Sequence, residues 1–318
     1  MKIVVLDGHA LNPGDMSWAL LEQFGELTVF DRSSDRQTVI ARIADAEIIT
    51  TNKVPIDATV MDACPNLKLI CCLSTGYNVV DTMAARARKI TVCNVPAYST
   101  AAVAQFTFGL LLELCHRIGH HDHAVHQGRW SAHPDFCFWD TPQMELAGKT
   151  MGIIGFGRIG MAVAAIARAF GMNVLAYSRT ERPEGSALGQ YVDLDTLLAK
   201  SDVISLHCPL FPETEHLINA DAIEKMKNGA ILLNTSRGPV IDETAVADGL
   251  RCGKLKGAAV DVVSVEPMEP DNPLLHAPNC IITPHMAWAP LETRGRILEI
   301  TAKNIRGFLD GTPINVVN

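Results

Sequence analysis

The second half of the sequence carries a guanidinium, a carboxylate and an imidazole, each shortly after an apolar run that predicts a β-strand. These groups belong to Arg237, Glu266 and His285. In a parallel sheet the carboxyl ends of the strands lie at one edge, where ligands bind, so we expect the three groups to converge there. Because histidine changes its charge near neutral pH, such a group of side chains can support acid–base chemistry.

Each of these residues also has an ordinary structural explanation when it is taken alone. His285 is compatible with a helix cap or a buried histidine, Glu266 with a turn, and Arg237 with a surface charge at the end of a strand. Their order along the chain, downstream of a glycine-rich loop, favours the catalytic interpretation.

The glycine-rich loop has the pattern Gly-x-Gly-x-x-Gly, formed by Gly155, Gly157 and Gly160. An apolar run at 150–154 precedes it and an alanine-rich helical segment at 161–170 follows it. In this context the first glycine permits a tight turn, the second lets the backbone approach a pyrophosphate, and the third permits close packing of helix and strand. The helix N-terminus offers free N–H groups to phosphates. The segment therefore predicts a dinucleotide-binding site.

The residues after the next predicted strand bear on the choice of cofactor. Ser178 occupies the position at which an acidic residue usually binds the adenosine ribose of NAD, and Arg179 and Thr180 follow it. A guanidinium and two hydroxyls suit a 2′-phosphate, so the sequence favours NADP(H). NAD(H) stays open, since Glu181 can substitute for the missing acid and Arg179 can stack on adenine or face solvent.

Short apolar runs alternate with helical patterns along most of the chain, which predicts an α/β fold with parallel sheets. The predicted strands of the first series are 2–6, 27–30, 47–51, 68–72 and 90–94. Those of the second series are 150–154, 173–177, 203–207, 231–234, 258–262 and 281–283. The segment 291–309 predicts one long helix without a following strand. We expect it to return to the first domain, so that residues 1–98 and 287–318 form one domain and 99–286 the other.

Composition excludes several classes of function. The chain has 318 residues, of which 48% are hydrophobic and 19% charged, as in an ordinary globular protein of two domains. With 27 Lys and Arg against 35 Asp and Glu, the formal charge is −8, which disfavours nucleic-acid binding. The uncharged stretch 90–112 contains too many polar residues for a membrane span, so no membrane partner is expected.

Cysteine and histidine usage argues against a metal site. Nine cysteines, none in a Cys-x-x-Cys pair, indicate a reduced, cytoplasmic compartment. Several histidines crowd one predicted helix: His116, His120, His121, His123 and His126. A solvated helix face or a subunit interface explains them better than zinc, because no set of acidic or cysteine ligands completes a site.

Several motifs together make this chain similar to a known family. They lie at 73–81, 94–100, 155–160, 208–214 and in the segments around the three polar residues described first. The sequence resembles the D-isomer-specific 2-hydroxyacid dehydrogenases over essentially its whole length. The His-Met-Ala-Trp-Ala segment at 285–289 resembles the glycerate dehydrogenase version, also called hydroxypyruvate or glyoxylate reductase.

The resemblance implies a Rossmann nucleotide-binding domain inserted in a flavodoxin-like substrate domain, and a homodimer. It implies NAD(P)H-dependent reduction of a small 2-keto acid, hydroxypyruvate or glyoxylate, to the D-2-hydroxy acid, glycerate or glycolate. His285 is then the acid/base, Glu266 hydrogen-bonds the other imidazole nitrogen, and Arg237 binds the substrate carboxylate.

The resemblance also implies the remaining site residues. The predicted substrate-binding residues are Leu73, Thr75, Gly76, Arg237, His285 and Trp288, with core packing an equal alternative for Trp288. The predicted cofactor-binding residues are Gly155, Gly157, Arg158, Ile159, Gly160, Ser178, Arg179, Thr180, Cys208, Pro209, Thr214, Thr235, Ser236, Asp261 and Ala287.

Two other functions fit the same motifs. A phosphoglycerate dehydrogenase-like enzyme is disfavoured because no extra cations surround Thr75 and Gly76. A cofactor-sensing protein similar to the related transcriptional corepressors is disfavoured because the chain has no long tails or basic segments. A measurement of turnover distinguishes an enzyme from a cofactor-sensing protein.

Overall fold

The computed structural model describes all 318 residues, which form two compact units. One unit comprises Met1–Ser99 and Trp288–Asn318, and the other comprises Thr100–Ala287. Each unit contains one sheet whose strands are all parallel: five strands in the first unit and seven in the second. The predicted α/β fold class is therefore confirmed.

The first unit has the strand order β2-β1-β3-β4-β5, which is the flavodoxin-like order. Its strands are β1 (Lys2–Val5), β2 (Glu26–Val29), β3 (Ile48–Thr51), β4 (Leu69–Cys72) and β5 (Thr91–Cys93). The central strands β3 and β4 are buried along their whole length. Such continuous burial is expected of a parallel sheet that helices cover on both faces.

Helices connect these strands, and aspartates begin most of them. The helices are α1 (Ala19–Glu22), α2 (Arg36–Ile43), α3 (Ala58–Ala63) and α4 (Thr82–Ala87). Asp35, Asp57 and Asp81 stand at the N-caps of α2, α3 and α4 and accept a hydrogen bond from a backbone N–H of the first turn. Such caps satisfy N–H groups that have no partner within the helix.

The second unit has the strand order β12-β11-β10-β9-β6-β7-β8. Its strands are β6 (Thr150–Ile154), β7 (Asn173–Tyr177), β8 (Gln190–Tyr191), β9 (Val203–Leu206), β10 (Ala230–Asn234), β11 (Leu255–Val260) and β12 (Cys280–Ile282). Strand order reverses beside β6, the strand that leads into the glycine-rich loop. The prediction omitted β8, because two residues at a sheet edge are too few to give a periodic pattern.

The helices of the second unit cover both faces of this sheet. They are α5 (Thr100–His116), α6 (Ile118–His126), α7 (Arg158–Ala169), α8 (Pro183–Ser186), α9 (Leu194–Lys200), α10 (Ala220–Lys225) and α11 (Glu243–Arg251). Helix α5 buries apolar side chains such as Phe108 and Leu111 in the same core as Val163 of α7.

The histidine-rich segment is two helices and not the single helix that the sequence predicts. Arg117 separates α5 from α6 with a left-handed backbone (φ 51°), so His116 lies on a different helix from the other histidines. No group of three or more His, Cys, Asp or Glu side chains is arranged to hold a metal ion. No single helix of the chain is long and apolar enough to cross a membrane, although α5 and α6, bent by 59°, pass that test as a pair.

The last helix, α12 (Leu291–Leu309), belongs to the first unit and confirms the predicted long helix. Pro290 is its N-cap residue. Ile297, Leu298 and Ile305 are buried in the core that also contains side chains of β1 and β4. The Arg294 side chain is only 9% exposed and forms a two-pronged ion pair with Asp15, with N–O distances of 2.6 and 2.8 Å.

Candidate active site

The ends of three neighbouring strands position the polar residues of the candidate site. Asn234 at the end of β10 pairs with Val260 of β11, and Val260 pairs with Ile282 of β12. The three strands therefore end in one row, and the segments carrying Arg237, Glu266 and His285 leave the sheet at the same edge. This is the edge at which open α/β sheets bind ligands.

His285 and Glu266 are in direct contact. His285 Nδ1 lies 2.7 Å from Glu266 Oε2, and the two side chains are 32% and 31% exposed. The backbone N–H of Val263 lies 3.4 Å from the other carboxylate oxygen. Since the carboxylate accepts, Nδ1 carries the hydrogen, which leaves Nε2 for another partner. The arrangement fixes the tautomer and orientation of an imidazole that solvent can reach.

Asp261 holds the turn on which His285 lies. The Asp261 side chain is buried, and its Oδ1 accepts hydrogen bonds from Thr283 Oγ1 at 2.6 Å and from Met286 N at 2.8 Å. Its Oδ2 accepts from Ala287 N at 2.8 Å. His285 itself has φ 53°, a left-handed conformation that non-glycine residues rarely adopt. Asp261 thus stabilises an unusual backbone conformation at His285.

A second buried polar residue, Asn234, shapes the turn that carries Arg237. Asn234 Oδ1 accepts from the backbone N and the hydroxyl of Ser236, and Nδ2 donates to Arg237 O at 2.9 Å. The guanidinium donates to Ser236 O at 2.6 Å, and the residue is otherwise exposed. Most of its donors are therefore available to a ligand carboxylate.

Gly238 brings this turn against the segment before Glu266. A Cβ added at Gly238 would lie 2.0 Å from the carbonyl carbon of Val263 and 2.4 Å from Ser264 N. Only glycine permits this approach of two backbones. The loops that carry Arg237 and Glu266 are therefore packed directly on each other.

The glycine-rich loop fits a dinucleotide. Gly155 has φ 93°, and a Cβ there would lie 2.4 Å from Cys208 N, whereas a Cβ at Gly160 would lie 2.2 Å from Gly155 O. At Gly157, the N-cap of α7, an added Cβ would have no neighbour within 4 Å. The N–H groups of Arg158, Ile159 and Gly160 lie in the first turn and have no acceptor within the helix. Gly155 and Gly160 thus make tight backbone contacts, whereas Gly157 leaves open space in front of the free N–H groups of α7. A bound pyrophosphate requires this combination.

The predicted cofactor residues after β9 form a tight turn. Cys208 is buried beside Gly155, and burial raises the pKa of its thiol. Thr214 Oγ1 donates to Pro209 O at 2.8 Å and accepts from Phe211 N at 2.7 Å. His207, between strand and turn, has its Nε2 2.7 Å from Ser205 Oγ, and burial lowers its pKa to about 3.

The other predicted cofactor residues lie at neighbouring strand ends of the same unit. Ser178, Arg179 and Thr180 follow β7 and form no hydrogen bond or ion pair within the chain, although the Arg179 guanidinium contacts the ring of Phe211. Thr235 Oγ1 lies 3.1 Å from Thr107 Oγ1 of α5. Ser236 and Ala287 are both buried. The backbone N–H of Ser236 donates to Asn234, and that of Ala287 donates to Asp261.

The predicted substrate residues of the first unit lie around the end of β4. Leu73 is buried, and Trp288 packs against the same core. This contact agrees with the alternative prediction that Trp288 has a role in core packing. Thr75 Oγ1 donates to Val95 O at 2.9 Å, and Ser74 Oγ donates to Gly76 O at 2.7 Å. A role of these residues in substrate binding stays a prediction.

Sequence reasoning missed three contributions to this site. No role was predicted for Asn234 or Gly238, and Asp261 was assigned only to the cofactor. The available signal was a polar residue directly at the end of an apolar strand, which for Asn234 and Asp261 indicates a side chain that stabilises the following turn.

Comparison with known proteins agrees with this geometry. The family model described as "D-isomer specific 2-hydroxyacid dehydrogenase, NAD binding domain" matches residues 108–287. The chain is 55% identical to hydroxypyruvate reductase of Blautia hydrogenotrophica over 100% of both chains. It is 38% identical to glycerate dehydrogenase of Methylorubrum extorquens over 99% of this chain and 98% of that one.

A solved structure shows the same fold. An acyclic imino acid reductase in complex with NADPH and D-Arg superposes with a TM-score of 0.84 at 31% identity, over 100% of both chains. The glycine-rich loop, the paired histidine and glutamate, and these similarities along the whole chain lead to one assignment. The chain belongs to the D-isomer-specific 2-hydroxyacid dehydrogenase family.

Proposed function

We propose that the chain reduces a small 2-keto acid, hydroxypyruvate or glyoxylate, to the D-2-hydroxy acid, glycerate or glycolate. The observation that carries this proposal is the 55% identity to a hydroxypyruvate reductase over the full length of both chains. The contact between His285 and Glu266 supports a reductase that delivers a proton.

In the proposed mechanism, NAD(P)H would, when bound, supply the hydride for the keto carbon. The Arg237 guanidinium binds the substrate carboxylate and polarises the carbonyl group. His285 delivers a proton from Nε2 to the carbonyl oxygen as negative charge develops there. Glu266 keeps the imidazole in the tautomer and orientation that this transfer needs, and it stabilises the protonated ring. The Gly155–Gly160 loop and the α7 N-terminus would hold the pyrophosphate of the cofactor.

We further propose that NADP(H) is the preferred cofactor. Ser178, Arg179 and Thr180 provide a cation and two hydroxyls without an intramolecular ion pair or hydrogen bond. Asp or Glu is absent at the position of Ser178, so no carboxylate repels a 2′-phosphate there. The NADPH complex of the related imino acid reductase is compatible with such a choice in this fold.

We also propose that the enzyme is a cytoplasmic homodimer. The segment that follows α6 exposes the aromatic residues Trp130 (52%), Phe136 (88%) and Trp139 (63%). Hydrogen bonds hold this segment: Asp140 accepts from Arg129 and His120 at 2.6 Å, and these partners keep the pKa of Asp140 well below the usual range. Exposed aromatic surface of this kind is typical of an interface. The nine free cysteines favour a reducing compartment.

Initial rates with purified protein test the reaction and the cofactor. Hydroxypyruvate, glyoxylate and 3-phosphohydroxypyruvate are each supplied with NADPH and with NADH. We expect fast NADPH oxidation with one of the first two acids and a product of D configuration. Turnover of the phosphorylated acid alone would favour a phosphoglycerate dehydrogenase-like enzyme. Tight cofactor binding without turnover of any acid would favour a cofactor sensor.

Sedimentation equilibrium tests the dimer. We expect the mass of two chains for the wild type and a shift towards one chain for Phe136→Ser. Met83→Ser replaces an equally apolar and 72% exposed residue in the other unit, and it serves as the control. A wild-type protein that sediments as a single chain at micromolar concentration contradicts the proposal.

A further inference from the structure

Arg179 and Phe211 approach each other above the strand that leads into the glycine-rich loop. Arg179 follows β7 and Phe211 lies in the turn after β9, and these two strands flank β6. Arg179 Cζ lies 4.7 Å from the centroid of the Phe211 ring. This distance is within the range of a cation–π interaction. Two loops on opposite sides of β6 are thus joined by one side-chain contact.

The contact leaves the hydrogen-bonding groups of Arg179 free. The guanidinium has no ion pair or hydrogen bond within the chain. A guanidinium carries five N–H donors, and none of those of Arg179 is used in a hydrogen bond within the chain. These donors can therefore bind two phosphate oxygens while Arg179 keeps its contact with the ring of Phe211.

Hydrogen bonds hold the backbone of Phe211 in its turn. Its side chain is 39% exposed. Its backbone N–H donates to Thr214 Oγ1 at 2.7 Å, and its carbonyl accepts from Thr214 N and Glu215 N, both at 3.0 Å. Thr214 Oγ1 also donates to Pro209 O at 2.8 Å. The backbone that carries the ring therefore lies in a hydrogen-bonded turn.

We propose that Phe211 is a positioning residue that holds Arg179 ready for the 2′-phosphate of NADPH. A free arginine side chain samples many rotamers, and binding a phosphate requires that most of them be given up. A ring that already restricts the guanidinium lowers this entropic cost for a ligand with a 2′-phosphate. NADH has no 2′-phosphate, so the restricted guanidinium does not strengthen its binding. This inference rests on the proposed preference for NADP(H), and it adds Phe211 as a residue that increases the preference for NADPH over NADH.

The test measures cofactor binding without turnover. Kd values for NADPH and NADH are obtained from cofactor fluorescence titrations of the wild type and of Phe211→Leu, Phe211→Trp and Arg179→Ala. A cation–π contact at an exposed site corresponds to a factor of about two to five in an equilibrium constant. We expect Phe211→Leu to weaken NADPH by about this factor and leave NADH unchanged. Phe211→Trp keeps an aromatic face and should therefore bind NADPH as tightly as the wild type does.

The double variant Arg179→Ala/Phe211→Leu tests whether the ring of Phe211 acts through the guanidinium of Arg179. We expect Phe211→Leu to have no further effect on NADPH once Arg179 is absent. Equal weakening of NADPH and NADH by Phe211→Leu would overturn the inference, because the ring would then bind adenine or stabilise the loop. An undiminished effect of Phe211→Leu in the Arg179→Ala background would overturn it as well.

The same titrations separate this inference from the proposed function. Because they need no keto acid, an error in the substrate assignment leaves them intact. If the wild type binds NADH more tightly than NADPH, both the cofactor preference and the role of Phe211 are wrong. If the wild type prefers NADPH and Phe211→Leu leaves that preference unchanged, only the role of Phe211 is wrong. Competition by 2′,5′-ADP and by ADP repeats the comparison with fragments that differ in the position of one phosphate.

Discussion

His285 donates a hydrogen bond from Nδ1 to Glu266 Oε2 across 2.7 Å. The two residues come from loops after adjacent strands, β12 and β11. A carboxylate can only accept, so the contact determines which imidazole nitrogen carries the fixed hydrogen and which can exchange a proton. In the proposed mechanism, Glu266 therefore acts on the reaction through His285.

Removing either member should slow the reaction by different amounts. We expect His285→Ala to lower kcat by about 10²–10⁴-fold, the usual contribution of general acid catalysis. Glu266→Gln should lower kcat less, because a neutral amide still orients the ring but stabilises its protonated form poorly. Cofactor Kd should stay unchanged in both variants. Glu269→Gln, at an exposed glutamate three residues further along, is the control. Wild-type turnover by Glu266→Gln would contradict this account.

The Asp261 carboxyl should be essential for the shape of the His285 turn. Asp261→Asn replaces one accepting oxygen by a donor, so that Met286 N or Ala287 N loses its partner. An unsatisfied buried N–H costs about 1–3 kcal/mol, and we expect the free energy of unfolding to fall by that amount. Thr283→Val removes one hydrogen bond without adding a donor and should cost about 1 kcal/mol. Urea unfolding measures both, and equal stabilities of Asp261→Asn and wild type would refute the role given to Asp261.

Much of this arrangement could be predicted from the sequence because it depends on local patterns. The Gly155–Gly160 loop combines a strand, fixed glycine spacing and a helix, and each part has a direct physical reason. The helix Leu291–Leu309 follows from its apolar period. Arg237 and His285 follow predicted strands, so the topology of a parallel sheet places them at one edge.

Contacts between distant segments could not be predicted in the same way. The left-handed backbone at Arg117 divides two helices, although the residues around it continue a helical pattern. The Arg179–Phe211 contact depends on the geometry of two loops separated along the chain, and no periodicity encodes it. Strand β8 is too short to have a pattern of its own.

Gly238 illustrates a requirement that appears only in three dimensions. The Cβ of Gly238→Ala would lie 2.0 Å from the carbonyl carbon of Val263, so one backbone must move. We expect a loss of about 1–3 kcal/mol in the free energy of unfolding and a large fall in kcat/KM, because Arg237 and Glu266 flank the contact. Gly295→Ala in α12 has no neighbour within 4 Å of its Cβ and should be neutral or stabilising. Thermal unfolding and initial rates compare the two, and a fully active, stable Gly238→Ala protein would show that the contact is not required.

His207 should make the stability of the protein depend on pH. Burial lowers its pKa to about 3 in the folded chain, against about 6.5 for histidine in an unfolded chain. Between these values the unfolded state binds a proton that the folded state does not. The free energy of unfolding should therefore fall as the pH drops from about 6.5 towards 3, by up to about 1.4 kcal/mol per pH unit from this residue.

The variant His207→Gln isolates this contribution, because an amide can hydrogen-bond to Ser205 but does not titrate. We expect the dependence of unfolding free energy on pH between 6 and 4 to be shallower in His207→Gln than in the wild type. His276→Gln removes an exposed imidazole and controls for the change in composition. Urea unfolding at several pH values gives the slopes. If His207→Gln keeps the wild-type slope, then His207 takes up its proton in the folded protein as readily as in the unfolded chain, and its burial beside the cofactor loop has no electrostatic cost.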